Sequence, residues 1–195
     1  MAEEDHIPGD VPLLLAFANT LDERSFTRHG VTHGGGDELA TAAGAQRWLA
    51  RHRLLTADVP LGPGDLAELV SLRNGLRWAL AKKAGARADA ATLMDFNATR
   101  GQVPLVLDFG ESGQPQLISA RGGAAAATAL LAAEIAATAA RGNWQRLRMC
   151  AASDCRWVFY DTSRRGGGRW CSMAVCGNRI KTRRYRQKLA QSERG

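Results

Sequence analysis

The segment from Cys150 to Leu189 decides the architecture of this chain, and it opens with Cys150-Ala-Ala-Ser-Asp-Cys155. After fifteen intervening residues, a second pair of thiols follows in Cys171-Ser-Met-Ala-Val-Cys176. These 4 cysteines are all that the sequence contains. Two pairs with equal internal spacing favour one shared metal ion over unrelated thiols.

Composition separates this segment from the rest of the chain. The sequence has 195 residues, enough for one ordinary domain with a small module attached, and 45% of them are hydrophobic, which supports a folded core. The net charge of +7 is uneven, because residues 141–195 carry 14 Lys and Arg against 3 Asp and Glu, while residues 1–140 carry 12 against 16. The C-terminal third therefore attracts anions, as expected for a protein that meets nucleic acid, an acidic partner or an anionic surface.

The sequence also predicts a compartment. The start, Met1-Ala-Glu-Glu-Asp5, is acidic and lacks the basic and apolar regions of a secretory signal. The longest apolar run, near Val11 to Ala18, is too short to span a bilayer. We therefore expect a cytoplasmic, nucleoid-associated protein without membrane contact. Thiols stay reduced in that compartment, which favours metal binding over disulfides.

Residues 1–141 are predicted to form a mainly helical unit with one β-hairpin, so the expected fold class is α+β. Apolar residues at helical spacing predict a first helix from Val11 to Arg24 and a loop over residues 25–36. Further helices are predicted near residues 37–52, 65–83, 89–97 and 124–140, and a change to period two predicts a hairpin at 103–109 and 116–119.

Two groups of residues in this unit have alternative interpretations. His29 and His33 are four residues apart and could chelate a metal, but a solvated loop beside a triple glycine is the stronger interpretation. Three arginines could line a pocket for an anion or a small ligand, and a solvated arginine face explains them as well: Arg24, Arg73 and Arg77.

Residues 142–195 are predicted to form a small treble-clef-like ββα zinc finger. A short strand near 144–149 leads into the first cysteine pair, and a β-rich run at 156–161 and a return strand at 169–171 form the predicted hairpin. A helix is expected from about Met173 to Gln191. Four thiolates, from Cys150, Cys155, Cys171 and Cys176, predict one structural Zn²⁺ at about 2.3 Å from each sulfur. Disulfides and an iron–sulfur cluster are the alternatives.

The motif Cys171-x₄-Cys176-Gly177-Asn178-Arg179 resembles the CGNR zinc-finger family of bacterial transcription regulators, as do Cys150-x₄-Cys155 and Phe159-x-Asp161-x-Ser163. Upstream, Phe17-x-Asn19-Thr20-Leu21-Asp22 resembles the start of the helical domain joined to that finger in stress-induced regulators. Together the two resemblances cover nearly the whole chain. They imply binding to double-stranded DNA, with a helical domain that forms a homodimer or senses a small effector. The run Gly166–Gly168 departs from the expected pattern and leaves the role of its loop open.

The predicted DNA-binding residues lie in the finger's basic loop and its last helix: Arg164, Arg165, Arg169, Arg179, Lys181, Arg183, Arg184, Arg186 and Lys188. On a helical wheel the cations flank the stripe formed by Met173, Cys176 and Ile180, which suits a groove with phosphates on both sides. Asn178 and Arg179 could reach base edges; alternatively, Gly177 allows close backbone approach to the metal thiolates while Asn178 and Arg179 tie the helix to the hairpin. The structural role is favoured for Gly177 and Asn178, and a phosphate or base contact for Arg179.

Other functions remain open at this point. A zinc finger that binds RNA or an acidic protein is the main alternative, with Tyr185 and Leu189 on the outer face of the helix. A treble-clef nuclease would need a catalytic histidine near the hairpin, but the last histidine is His52, and Asp154 and Asp161 are isolated acids. An all-thiolate metal site also has no open position, so we expect that the protein is not an enzyme.

Overall fold

The computed structural model describes residues 7–28, 30–56, 58–86, 89–99, 104–109, 111 and 113–192. The N-terminal part is helical with small sheets, and the C-terminal part contains the cysteine cluster, short strands and a final helix. This arrangement confirms the predicted α+β class with a C-terminal zinc-finger-like module.

The helices within the described residues are α1 (Val11–Ala18), α2 (Ala42–Arg51), α3 (Pro63–Lys83), α4 (Ala90–Thr99), α5 (Ala124–Ala140) and α6 (Asn178–Ser192). Helix α3 begins with a proline, and Asp65 accepts a hydrogen bond from the Gly62 N–H at 2.9 Å, which closes its first turn. Asp89 caps α4 as predicted, since its carboxylate accepts the Ala91 N–H at 3.1 Å. No described helix is both long and apolar enough to cross a membrane.

Within the part of the chain that the structure describes, the strands form four separate antiparallel pairs. They are β1 (Leu21–Asp22) with β4 (Gly36–Asp37), β2 (Phe26–Arg28) with β3 (Val31–His33), β5 (Leu105–Asp108) with β6 (Gln116–Ser119), and β7 (Leu147–Met149) with β8 (Val158–Tyr160). The predicted hairpin in the N-terminal unit is therefore present as β5 and β6, while the first two pairs were not predicted.

Three predictions about the first forty residues were wrong. Helix α1 stops at Ala18 instead of reaching Arg24, because the Thr20 hydroxyl donates to the Phe17 carbonyl at 2.7 Å and the chain turns into β1. The predicted loop at 25–36 contains the β2–β3 hairpin. Helix α2 begins at Ala42 instead of Asp37, because the Thr41 side chain caps it by accepting the Gly44 N–H.

One hydrophobic core joins the helical unit to β7 and β8 of the finger. Helices α1, α2, α3 and α5 supply most of its buried side chains, and Leu147, Met149 and Val158 of β7 and β8 belong to the same cluster. Lys83, at the end of α3, donates hydrogen bonds to the carbonyls of Trp144 and Leu147. Burying each large apolar side chain stabilises a fold by roughly 1.5–3 kcal/mol, so this shared core fixes the finger against the helices.

Candidate metal centre and nucleic-acid interface

The four cysteines predicted as metal ligands lie together. Their sulfur atoms are all within 4.8 Å of one another, and the Cys155–Cys171 and Cys171–Cys176 sulfur separations are both 3.7 Å. Sulfurs placed at about 2.3 Å from a tetrahedral zinc are about 3.8 Å apart, so the spacing fits one such ion. Cys150, Cys155 and Cys176 are buried, which leaves little room for an additional ligand.

The protonation of these thiols also favours a bound cation. The pKa of Cys150 is lowered because Cys155 and Cys171 donate hydrogen bonds to its sulfur. The same hydrogen bonds raise the pKa values of the two donors, Cys155 and Cys171. Neighbouring thiolates repel one another, so the cluster by itself does not sustain four negative charges. A divalent ion bound by all four sulfurs would remove that repulsion. The donor set therefore fits a structural zinc site.

The cysteines are carried by two different local structures. Cys150 follows β7, and the turn up to Cys155 ends before β8, with the Cys150 N–H donating to the Trp157 carbonyl at 2.9 Å. Cys176 lies in a π-helical turn, Met173–Gly177, which Ser172 caps by accepting the Val175 N–H before α6 begins.

The hairpin of the finger differs from the predicted one. Strand β8 pairs with β7, with Met149 opposite Val158, so the hairpin encloses the first cysteine pair. Residues 169–171 were predicted to be the second strand but are not a strand; the Arg169 carbonyl accepts one hydrogen bond, from the Ala151 N–H at 2.9 Å. The edge of β8 away from β7 is occupied by the Asn19 side chain, which pairs with both backbone groups of Val158 at 2.8 Å.

The basic loop at residues 162–168 is organised by Asp161. This carboxylate is buried and accepts the N–H groups of Ser163 at 3.1 Å and Gly168 at 2.6 Å. Burial alone would raise the pKa of Asp161, but these hydrogen bonds lower it below its ordinary value. Arg146 adds two hydrogen bonds of 2.8 Å to the carbonyls of Asp161 and Ser163. The glycine run is thus part of a turn that these hydrogen bonds hold.

The substitution Gly168→Ala is expected to destabilise the protein by about 1–3 kcal/mol. A Cβ atom at this position would lie 2.8 Å from the Asp161 carboxylate, which its own hydrogen bonds hold in place. The matched control is Gly167→Ala, since a Cβ at Gly167 meets nothing within 4 Å. Urea denaturation of both variants measures the difference, and equal stabilities would contradict the role given to Asp161.

Arg179 lies at the base of α6 and is held by other residues. Its guanidinium pairs with both carboxylate oxygens of Asp154, lies 4.1 Å from the centre of the Phe26 ring and contacts the Cys176 sulfur at 3.8 Å. The hydrogen bond with Asp154 raises the pKa of Arg179 and lowers the pKa of Asp154. This placement favours a structural role for Arg179, beside the zinc ligands, over the predicted phosphate or base contact.

Gly177 and Asn178 have different environments in the structure. Gly177 is buried, and a Cβ there would come within 3.2 Å of Trp170, in line with its structural interpretation. Asn178 is exposed and makes no side-chain hydrogen bond with any other described residue, so the structure does not support its interpretation as a tie between helix and hairpin.

The other cations predicted to contact DNA are exposed. Every residue of α6 from Lys181 to Ser192 is exposed, including Tyr185 and Leu189, at 63% and 45%. The exposed cations of this helix are Lys181, Arg183, Arg184, Arg186 and Lys188, and those of the loop are Arg164, Arg165 and Arg169. We refer to these eight exposed cations collectively as the basic surface. It contains no buried side chain, so packing does not explain its composition.

The motif around Asn19 lies at the contact between the helical unit and the finger. Asn19 bonds the backbone of Val158, as described above. Asp22 pairs with Arg24, whose guanidinium lies 4.1 Å from the centre of the Trp157 ring. The Ser25 N–H donates to the Asp154 carbonyl at 3.0 Å, next to the ion pair with Arg179. The sequence identified this motif as characteristic of a family but indicated no role for its residues.

The three arginines considered as pocket residues are all in ion pairs. Arg24 pairs with Asp22, Arg73 with Asp37, and Arg77 with Glu23. Arg77 also donates to the carbonyls of Ala18 and Arg156, so it links α1, α3 and the finger. These pairs explain the arginines without a ligand. Of the two histidines, His29 lies outside the described residues, and the His33 ring packs 4.7 Å from that of Phe26.

Comparison with protein families agrees with these features. Residues 146–188 match the model of the CGNR zinc finger, and residues 12–142 match the ABATE model, described as "Putative stress-induced transcription regulator". No curated protein matches the chain. The two matches confirm both resemblances seen in the sequence. Because the second match covers more than half of the chain, the protein belongs to the ABATE family of transcription regulators and carries a CGNR zinc finger with one structural zinc site.

Proposed function

We propose that the protein regulates transcription by binding double-stranded DNA through its basic surface, with α6 lying in the major groove. The observation that carries this proposal is a helix whose residues 181–192 are all exposed and include five cations but no acid. Only a few of these residues, such as Tyr185 and Leu189, are large and apolar, and a helix so poor in apolar residues gains little from packing on its own protein. The major groove accepts an α-helix, and phosphates line both of its edges.

The two parts of the chain have separate tasks in this proposal. Residues 142–195 bind DNA, and the zinc fixes α6 relative to the loop that carries Arg164 and Arg165. Residues 1–141 sense a small effector or hold two copies together as a homodimer. The family is regulatory, and four thiolates around the metal supply structure and no position for a substrate. The expected location is the bacterial nucleoid, in the cytoplasm.

Selection of bound sequences from random duplex DNA tests this function. With zinc present, we expect a recurrent site to be enriched, and a chelator should abolish the enrichment. The same protein is titrated with RNA and with an acidic protein under the same salt conditions. Failure to enrich any duplex with zinc present, or tighter binding to RNA or the acidic protein, would contradict the proposal; tighter binding to an acidic protein would assign the exposed Tyr185 and Leu189 to a protein interface.

A further inference from the structure

A cleft of about 490 Å³ lies where the helical unit meets the finger. Helix α1 contributes Leu15 and Ala16, α2 contributes Trp48, and the finger contributes Trp157, Phe159 and Tyr160. Its volume lies within the roughly 300–1,000 Å³ that is typical of small-molecule sites, which also occur preferentially between structural units. None of these residues is a zinc ligand or part of the basic surface.

Aromatic rings form much of the lining of this cleft. Trp157, Phe159 and Tyr160 line the cleft and are only half-buried, and the Arg24 guanidinium covers one face of Trp157. Trp48 is buried beneath them, with its ring 5.6 Å from that of Phe17 and 4.4 Å from that of His52. Aromatic rings bind best to other flat rings, by offset stacking and edge-to-face contact. The lining therefore favours a planar aromatic ligand over a branched aliphatic one.

The rim of the cleft carries one cation that is free to change its partner. Arg51 pairs with Glu38, but their side chains are 59% and 50% exposed, and exposed ion pairs contribute little to stability. A ligand carboxylate could replace Glu38 and form a two-pronged pair with the guanidinium. Burial, and then the charge of Arg51, lowers the pKa of His52, so its ring is neutral near pH 7 and can donate or accept one hydrogen bond.

The same cleft touches the strand that supports the zinc site. Val158 lines it and is bonded on both backbone groups to Asn19, another lining residue. Cys155 is only three residues before Val158. A ligand in the cleft would therefore contact both the helical unit and the strand that follows the first two metal ligands.

We propose that this cleft binds a planar aromatic carboxylate, with its ring against Trp157, Phe159 and Tyr160 and its carboxylate on Arg51. This inference deepens the effector-sensing part of the proposed function and rests on it for its biological role. The binding itself needs no DNA and can be measured alone.

The experiment titrates the full-length, zinc-loaded protein with 2-naphthoate, followed by calorimetry and by the indole N–H signals of the tryptophans in NMR spectra. We expect saturable binding of one molecule per chain that shifts the signals of Trp48 and Trp157. Cyclohexanecarboxylate, which has the charge but no flat ring, and 2-naphthylmethylamine, which has the ring but the opposite charge, should each bind at least about tenfold more weakly.

Two single substitutions on α2 locate the site. Arg51→Gln is expected to weaken 2-naphthoate binding by about tenfold or more, because it removes the charged hydrogen bonds. Arg47→Gln makes the same change of charge at an exposed position outside the cleft and should leave the affinity unchanged. Circular dichroism checks that both variants are folded.

Three results would overturn the inference. They are the absence of saturable binding at millimolar 2-naphthoate, equal weakening by Arg51→Gln and Arg47→Gln, and equal affinity for cyclohexanecarboxylate. Because no arm of this experiment contains DNA, its failure is distinct from a failure of DNA binding in the selection experiment.

Discussion

Substituting Cys176 with serine is expected to unfold the finger and to abolish DNA binding. The finger has its own small cluster of buried residues, Cys150, Ala152, Cys155 and Cys176. Three of these four are the cysteines that the metal holds together, so the cluster depends on the metal. Binding of a structural zinc contributes roughly 10–16 kcal/mol in isolated finger peptides, far more than so small a cluster supplies. Removal of zinc by a chelator should have the same effect, and added zinc should reverse it.

The measurement combines metal analysis with circular dichroism. The wild-type chain should contain one zinc, and its loss should reduce the helical signal of α6 while the helices of the larger core remain. Ser153→Ala is the matched control, because Ser153 is exposed and lies between the first two ligands. A Cys176→Ser protein that still holds one zinc with unchanged affinity would show that this cysteine is not a ligand.

Neutralising three arginines of α6 should flatten the salt dependence of DNA binding. The triple variant combines Arg183→Gln, Arg184→Gln and Arg186→Gln. Each lost phosphate contact reduces the magnitude of the slope of log K against log[salt] by roughly 0.9, so three lost contacts reduce it by about 2.7. With about five contacts in the wild-type protein, the slope should fall from roughly −4.5 to roughly −1.8. Since all three side chains are exposed, the stability of the fold should not change.

The control for this variant has the same change of net charge elsewhere. Arg47, Arg53 and Lys82 are exposed and lie outside both the basic surface and the cleft, so their replacement by glutamine leaves both intact. Fluorescence anisotropy of a labelled duplex at several salt concentrations compares the two triple variants. The same slope in both would mean that α6 does not contact the phosphates and that overall charge alone attracts DNA.

Local patterns were enough to predict much of this molecule. Helices α3 and α5 follow from apolar spacing and from the residues that begin and end them. The spacing of Cys150, Cys155, Cys171 and Cys176 predicted four sulfurs in one place, because few arrangements other than a metal site use such pairs.

What could not be predicted depends on contacts between distant residues. The pairing of β8 with β7 is supported by Asn19, which is 139 residues away from Val158, and no local pattern indicates that partner. The same holds for Arg73 with Asp37 and for Arg77 with Glu23, where a charged residue on a helix could equally well face water. For Arg179, the sequence showed a cation in a basic helix but not the Asp154 carboxylate and the Phe26 ring that hold it.

The bond between Asn19 and Val158 has a consequence for how such proteins evolve. Strands β7 and β8 lie in the finger by sequence, yet Leu147, Met149 and Val158 complete the core of the helical unit. A finger transferred to an unrelated partner would expose those side chains, and its former helical unit would keep an amide at Asn19 with no strand to bind. The two parts are therefore expected to be inherited together, and a change in one of these four residues should be accompanied in related chains by a compensating change across the boundary.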